Sequence, residues 1–439
     1  MFGLWYNFCD ISRRYGLRKE KIMEFVAAFN FAMSIFFMVC YAYQFVYIAI
    51  PFVKKDKPHK AIKQHRYAVL VSARNESAVI ANLLESIKNQ TYPKELVDIF
   101  LIADNCTDNT AEIGRNCGVH VYERFDKVKV GKGYALNYAL SNIKETYGDK
   151  HFDAYFVFDA DNVLDPNYIE EMNKTFSDGY DMVTGYRNSK NYGDNWISAG
   201  YALWFLRESK YLNYPRMLLN TSCAISGTGF MFSQDAINRT DGWNYYLLTE
   251  DIEFTVDNVT SGRKIGFCKD AILYDEQPNE FGQSVRQRMR WAKGYLQVFR
   301  DYGVRLIKGT VKGESFGCFD MSMTIMPALI TSVLNLAVNG SALILGLVMG
   351  ESVKPVLASL GGLMFGMYAT LYAIGLITTI TEWKNIYTTT KKKILYTFTF
   401  PIFMATYIPI TVAAIFKKVE WKPIVHSKSK SLADIKNMN

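Results

Sequence analysis

Ala154-Tyr155-Phe156-Val157-Phe158-Asp159-Ala160-Asp161-Asn162 reads as a buried strand that opens into a loop carrying two carboxylates one residue apart. A short unbroken apolar run bounded by polar residues is the pattern of a strand covered on both faces. Asp159 and Asp161 offer hard oxygen ligands, the kind a divalent cation takes when it is shared with phosphates. An isolated Asp-x-Asp is common in turns. Its weight here comes from the motifs downstream of it in the chain: Thr249-Glu250-Asp251, then Gln287-Arg288-Met289-Arg290-Trp291, then a block of membrane-length apolar segments.

Outward from that strand, apolar runs of strand length alternate with helical stretches between 67 and about 185. Strands are expected at 67–73, 97–103, 119–122 and 154–158, and helices at 81–89, 110–117, 131–147 and 168–176. The alternation predicts an α/β domain with a parallel-rich central sheet and helices on both faces. Ligands of such sheets sit beyond the carboxyl ends of the strands. Arg74, Asn75 and Glu76 follow the first strand, Asp104 the second, and Asp159 and Asp161 the fourth. A helix over 283–299 then leads towards the apolar segments.

Four uncharged runs, 25–53, 321–350, 355–381 and 394–416, each match the roughly 20 apolar residues that cross a bilayer. The first lacks a small-residue cleavage site and is too long for a signal-peptide core, so it is expected to stay as an anchor. The predicted layout is an N-terminal segment and first span over 1–53, a cytoplasmic catalytic domain over 54–303, an interfacial segment over 304–320, membrane helices over 321–416 and a basic tail over 417–439. The net charge of +8 crowds the membrane edges, with Lys54, Lys55, Lys57, Lys60, Lys63 and Arg66 after the first span. That is positive-inside anchoring rather than a nucleic-acid footprint, and no nucleic-acid partner is expected. Seven cysteines without a Cys-x-x-Cys pair argue against a zinc site or a disulfide framework. Basic residues also flank both outer ends, Arg13 to Lys21 before the first span and Lys417 to Lys430 after the last, so both termini look cytoplasmic. An even count of crossings with one before the domain contradicts this. Pro401 and Pro409 make the last run the one expected to be broken or re-entrant.

The ordered set Asp159-x-Asp161, Thr249-Glu250-Asp251 and Gln287-x-x-Arg290-Trp291 resembles the membrane-integrated, processive members of glycosyltransferase family 2, the cellulose, hyaluronan, chitin and β-glucan synthases. The resemblance runs from about 68 to 291. It implies a nucleotide-diphosphosugar transferase (GT-A) fold with an α-helical transmembrane region. It also implies roles. Ala73, Arg74 and Glu76 match the first nucleotide-binding loop, Asp104 the carboxylate that recognises uracil, and Lys132 a nucleotide-side lysine. Asp159 and Asp161 match the diphosphate and metal pair for Mg2+ or Mn2+, and Asp251 the catalytic base. Gln287, Arg290 and Trp291 match the motif near diphosphate and acceptor. Ala103 stands where cellulose synthases usually carry Asp, and there is no Phe-x-Val-Thr-x-Lys gating segment. The activity implied is inverting, processive transfer from a UDP-sugar, with UDP-glucose preferred, onto a growing β-linked polysaccharide that is threaded across the cell membrane. UDP-N-acetylglucosamine, or transfer of one sugar to a polyprenyl phosphate lipid, are the alternatives.

The residues support this chemistry on their own terms. A sugar hydroxyl attacking an anomeric carbon needs a base, which a carboxylate supplies. On a helix Gln287, Arg290 and Trp291 share one face, placing an amide, a cation and an indole together. Other readings stand beside these. Asp251 also suits the first turn of a helix, Trp291 a membrane-interface anchor, and Lys132 a solvated helix start. Ser226-Gly227-Thr228-Gly229 fits an acceptor-side loop or a tight turn. Trp243, Tyr245 and Tyr246 fit an acceptor path or plain packing.

Overall fold

The computed structural model describes residues 2–59, 61–348, 353–424 and 426–438, with the side chains of 2–23, 327–330 and 332 left aside. Eight strands form one sheet: β1 Tyr67–Ala73, β2 Val97–Asp104, β3 His120–Arg124, β4 Ala154–Asp159, β5 Val163–Leu164, β6 Met182–Ser189, β7 Phe230–Ser233 and β8 Ile265–Asp275, in the order β3-β2-β1-β4-β7-β6-β8-β5. The β3-β2-β1-β4 half is parallel throughout. β7 runs antiparallel between β4 and β6, and β5 antiparallel to β8, so the sheet is mixed and parallel-rich rather than wholly parallel.

Side chains alternate across each strand and build two cores. Ala68, Leu70, Phe100, Ile102, Tyr155 and Val157 pack with the helix Lys132–Tyr147 through Leu136, Ala139 and Ile143. Val69, Val71, Leu101, Phe156 and Phe158 face the other way, onto Leu83, Leu84 and Met172 of the helices Ile80–Lys88 and Tyr168–Ser177. Double-sided burial explains why these strands read as unbroken apolar runs. The register sets Ala73 beside Ala103 and Ser72 beside Asp159, which brings the carboxyl ends of β1, β2 and β4 to one edge.

Several boundaries move. The third strand starts at His120 and runs to Arg124, and the helix expected over 283–299 is Phe281–Val311. The run 321–350 is not one span. Met326, before Pro327, leaves helical geometry, because proline disfavours the α conformation of its predecessor. Met321 and Ile325 close a helix, Phe316–Ile325, that packs on Val256 and Val298 of the catalytic domain. Among the described residues three helices are long and apolar enough to cross a membrane: Glu24–Val53, Lys354–Thr381 and Thr390–Phe416. Pro327–Val348 contributes a shorter apolar helix, Val333–Val348.

The last apolar run is broken at Thr406 into Thr390–Ala405 and Tyr407–Phe416. The buried guanidinium of Arg288 meets the break, donating to the Phe403 carbonyl at 3.1 Å and Thr406 Oγ1 at 2.6 Å. Both ends of this segment are tied to the catalytic domain. Lys392 Nζ donates to the Gly193 carbonyl at 2.6 Å, and Lys293 Nζ to the Ala414 carbonyl at 3.0 Å. Beyond it, the tail turns back over the carboxyl-end edge of the sheet.

Candidate active site

The crevice is built around the loop Ser226-Gly227-Thr228-Gly229. Gly227 and Gly229 have φ of 78° and 66°, a region that side chains rarely adopt. A Cβ on Gly229 would lie 1.8 Å from Leu273 Cδ2, so only glycine fits. Gly227 is the hub. Its amide donates to Asp251 Oδ2 at 2.6 Å, and its carbonyl accepts from Lys132 Nζ at 2.7 Å. The same ammonium donates to Asp159 Oδ1 at 2.5 Å. Asp251 and Lys132 therefore meet on the two backbone groups of Gly227, and Asp159 joins them through Lys132. Lys132 is paired rather than solvated, and the loop is a tight turn, the Thr228 amide donating to the Ser226 carbonyl at 3.0 Å.

Asp159 ends β4 and is held by its own amide, which donates to Thr228 Oγ1 at 2.9 Å. Its side chain stays 37% exposed. Asp161 is buried, and its Oδ2 accepts from the Glu276 amide at 2.7 Å. Burial opposes its charge, but His426, Lys190, the Glu276 amide and Arg187 together hold its pKa below the usual aspartate value. Asp251 lies in the first turn of the helix Glu250–Thr260, where the helix dipole favours an anion. Desolvation nevertheless outweighs this, and the amides of Ile252 and Gly227 and the charges of Lys132 and Arg290 offset only part of it, so its pKa is raised. Its neighbour Glu250 is pushed up to about 7 by burial and by the Asp251 charge.

On the nucleotide side, Asn75 and Asn105 take left-handed backbone conformations at φ 58° and 54°, in the loops that follow β1 and β2. Asn75 Oδ1 accepts from the Thr107 amide at 2.7 Å and clamps the two loops together. Ala73 is the buried last residue of β1. Asp104 is buried in an ion pair with Arg124, Nη1 to Oδ1 at 2.6 Å. The Arg74 guanidinium lies 5.3 Å from the Trp421 ring centroid. Glu76 is paired with His426, whose Nδ1 lies 2.9 Å from Oε1 and 3.0 Å from Oε2.

From the helix Phe281–Val311, Gln287 and Arg290 bring buried atoms, Oε1 and Nε, that have no hydrogen-bond partner among the described residues. Buried polar atoms without partners mark places where another molecule's polar groups fit. Trp291 packs edge-on against Tyr201 and Phe205, with ring centroids 5.7 and 6.1 Å away. Trp243 is fully buried among Phe232 and Phe254, its indole donating to the Tyr245 carbonyl, and it belongs to the core. Tyr245 is buried too, whereas Tyr246 is exposed and stacks on Tyr134 at 4.4 Å.

Four further residues bear on the site and carry no motif. Arg187 donates to Asp275 and, at 2.9 Å, to the Ser226 carbonyl, so it braces the hub loop from behind. Lys190 is fully buried near Asp161, with an ammonium that has no hydrogen-bond partner among the described residues. Glu276 holds Asp161 with its amide. His426 arrives from the tail.

A mixed, parallel-rich sheet with acids gathered at its carboxyl edge has the form of a GT-A fold. A solved mannosyltransferase from Pyrobaculum calidifontis, in complex with GDP-mannose and Mn2+, superposes with a TM-score of 0.55 over 89% of this chain and 99% of its own, at 14% identity. The family model described as "Glycosyltransferase like family 2" matches residues 65–294, more than half of the chain. The chain belongs to glycosyltransferase family 2. It is 26% identical over 297 residues to a probable glycosyltransferase of Sulfolobus acidocaldarius, covering 64% of this chain and 61% of that protein. It is 27% identical over 291 residues to a poly-β-1,6-N-acetyl-D-glucosamine synthase of Staphylococcus epidermidis, covering 64% and 67%. A β-monoglucosyldiacylglycerol synthase of Nostoc is 26% identical over 279 residues, covering 59% and 56%. The chain spans about three fifths of the length of the first curated relatives it matches.

Proposed function

We propose that this glycosyltransferase moves a sugar from a UDP-sugar onto an acceptor hydroxyl with inversion, building a β-linked glycan at a membrane and passing it outward. The observation that carries the reading is that Gly227 holds Asp251 on its amide and Lys132 on its carbonyl, while Lys132 also bonds Asp159. It sets a proton acceptor and a leaving-group clamp across one crevice.

Asp251 accepts the proton of the acceptor hydroxyl as its oxygen attacks the anomeric carbon. The bond from that carbon to the diphosphate oxygen breaks, and UDP departs with the electron pair. Displacement in one step turns an α-linked donor into a β-linkage. Lys132 sits where the diphosphate gains charge, and Arg290 and Gln287 offer their free atoms to it and to the acceptor. Trp291 gives the acceptor side a flat wall.

Asp159 and Asp161 fit a divalent cation: both are hard oxygen donors, one is partly exposed, and the other is held ionised. No group of three His, Cys, Asp or Glu side chains suited to a metal occurs among the described residues, so an ion on Asp159 and Asp161 would take its remaining ligands from substrate phosphates and water. When bound, the ion neutralises charge on the departing diphosphate.

UDP-glucose is the preferred donor, with UDP-N-acetylglucosamine the alternative; the named products of the two relatives support one sugar each. A polymer acceptor is favoured by Gln287-x-x-Arg290-Trp291. Transfer of one sugar to a lipid, a polyprenyl phosphate or a diacylglycerol, is the second reading, favoured by the Nostoc relative's name. Orientation follows from charge and contact. Lys54, Lys55, Lys57, Lys63 and Arg66 support a cytoplasmic catalytic domain. The tethering of both ends of 390–416 to that domain supports a re-entrant segment, with the basic tail on the domain's side. The test is purified protein with labelled UDP-sugars and Mg2+ or Mn2+. A polymer cut by β-specific hydrolases supports the first reading, a product extracted into organic solvent supports the second, and no transfer from any UDP-sugar rejects both.

A further inference from the structure

The tail beyond Phe416 lies outside the region matched by the family model, yet it touches the nucleotide side of the crevice at three places. Trp421 lies against the Arg74 guanidinium, within the range of a cation–π contact. His426 pairs with Glu76. The amides of Ser427 and Lys428 both donate to the Glu276 carboxylate, at 3.1 and 2.8 Å, while the Glu276 amide holds Asp161. The tail thus bears on Arg74 and Glu76 directly and on Asp161 through one residue.

This segment is anchored like part of a fold. Ile435 is fully buried against Val163 and Tyr274, beside β5 and β8. Ser431 and Asp434 form a capping box on a final short helix, and Lys436 reaches Asp165 at 3.1 Å. Lys430 Nζ donates to the Lys190 carbonyl at 3.4 Å, so the tail also lies along the residue whose ammonium has no hydrogen-bond partner. His426 and Lys190 add cationic character beside the carboxylate pair, where a diphosphate is handled. Burial works against the His426 charge, but Asp161, Glu76 and Glu276 outweigh it and push the ring up to about 10.

We infer that residues 421–424 and 426–436 are a resident wall of the donor site, with Trp421 and His426 as positioning residues for the nucleoside diphosphate through Arg74 and Glu76. The inference rests on the reading of the crevice as a UDP-sugar site. A plug that blocks the site would use the same contacts, and the two differ in the sign of their effect on nucleotide binding.

The test titrates UDP, with Mn2+, into the full-length protein in detergent by calorimetry, and measures donor KM and kcat in parallel. Trp421→Ala is expected to raise the UDP Kd and donor KM roughly five- to tenfold, with kcat within about twofold and an unchanged melting temperature. Trp421→Phe, which keeps an aromatic face for Arg74, recovers most of the loss. His426→Gln raises the Kd in the same direction and carries the test if Trp421→Ala does not fold. Lys418→Ala, on a side chain 90% exposed, is the control expected to match wild type. UDP binding within twofold of wild type in both variants overturns the wall. Tighter binding with faster turnover overturns it in favour of a plug. Wild-type protein that binds no UDP brings down the donor-site reading itself, and the wall with it.

Discussion

Asp251→Asn isolates the base. The carboxylate accepts the Gly227 amide at 2.6 Å, and an asparagine of the same shape can accept that hydrogen bond through its own carbonyl oxygen. The hub loop, Lys132 and Asp159 are therefore expected to stay in place, and UDP binding to stay within about twofold. What the variant loses is the proton acceptor. A positioned general base contributes about 10²- to 10⁴-fold, or about 2.7 to 5.4 kcal/mol at 1.36 kcal/mol per decade. Removing the charge also leaves Lys132 and Arg290 less compensated in a buried site, which pushes the loss towards the upper end. The assay is initial-rate sugar transfer at saturating donor, with UDP binding measured on the same preparation. Retention of more than about a tenth of wild-type kcat with normal UDP binding would refute the assignment. The pH profile gives an independent check. Asp251 must be ionised to act, and desolvation raises its pKa, so the acid limb of kcat is expected above the ordinary aspartate range. A limb at or below pH 4 contradicts the buried geometry.

Lys132→Met keeps the stem and removes the ammonium that joins Asp159 to Gly227. Charged hydrogen bonds of this kind contribute about 1.5–3 kcal/mol, so donor kcat/KM is expected to fall roughly ten- to a hundredfold; unchanged kinetics would make Lys132 a bystander. Chelation with EDTA should abolish transfer and added Mn2+ or Mg2+ restore it, and full activity in chelator rejects the metal role of Asp159 and Asp161. Asp320→Asn breaks a buried two-bond pair with Arg216, both bonds 2.7 Å, to which Tyr43 and Tyr47 of the first membrane helix also donate. Such a loss costs about 3–5 kcal/mol, so the melting temperature in detergent should drop by several degrees, and a wild-type melt would show that the pair contributes little to stability. His426 should titrate well above 6.5 by NMR of the labelled ring. Its raised pKa stabilises the docked tail fully below pH 6.5, with the contribution lost as pH rises through about 10, and a midpoint near 6.5 excludes the Glu76 pairing in solution.

The strands that sequence made legible are those buried on both faces. β1, β2 and β4 are continuous apolar runs because each packs on two cores, and their ends were placed within a residue. β5 and β7 are two and four residues long, too short for any period to show. β6 contains Gly185 and Arg187, whose side chain turns to Asp275 and the hub loop, so its reading as a strand is masked by residues serving the site. The antiparallel insertion of β7 between β4 and β6 leaves no local trace. In the membrane region, length and hydropathy found the runs. They did not show that Met321 and Ile325 are spent on the catalytic domain, because burial in protein and burial in lipid call for the same side chains.

By itself the sequence determined the class of chemistry: carboxylates at strand ends, an acid opening a helix, and an amide, a cation and an indole on one helical face are local patterns that spacing alone preserves. Only the tertiary structure decided what joins them. Gly227 ties Asp251 to Lys132, and through it to Asp159, with its amide and its carbonyl, groups which nearly every residue carries and no motif announces. The pairing of Glu76 with His426 spans 350 positions. Contacts at such separation depend on how the whole chain closes, and their residues are ordinary until the fold sets them side by side.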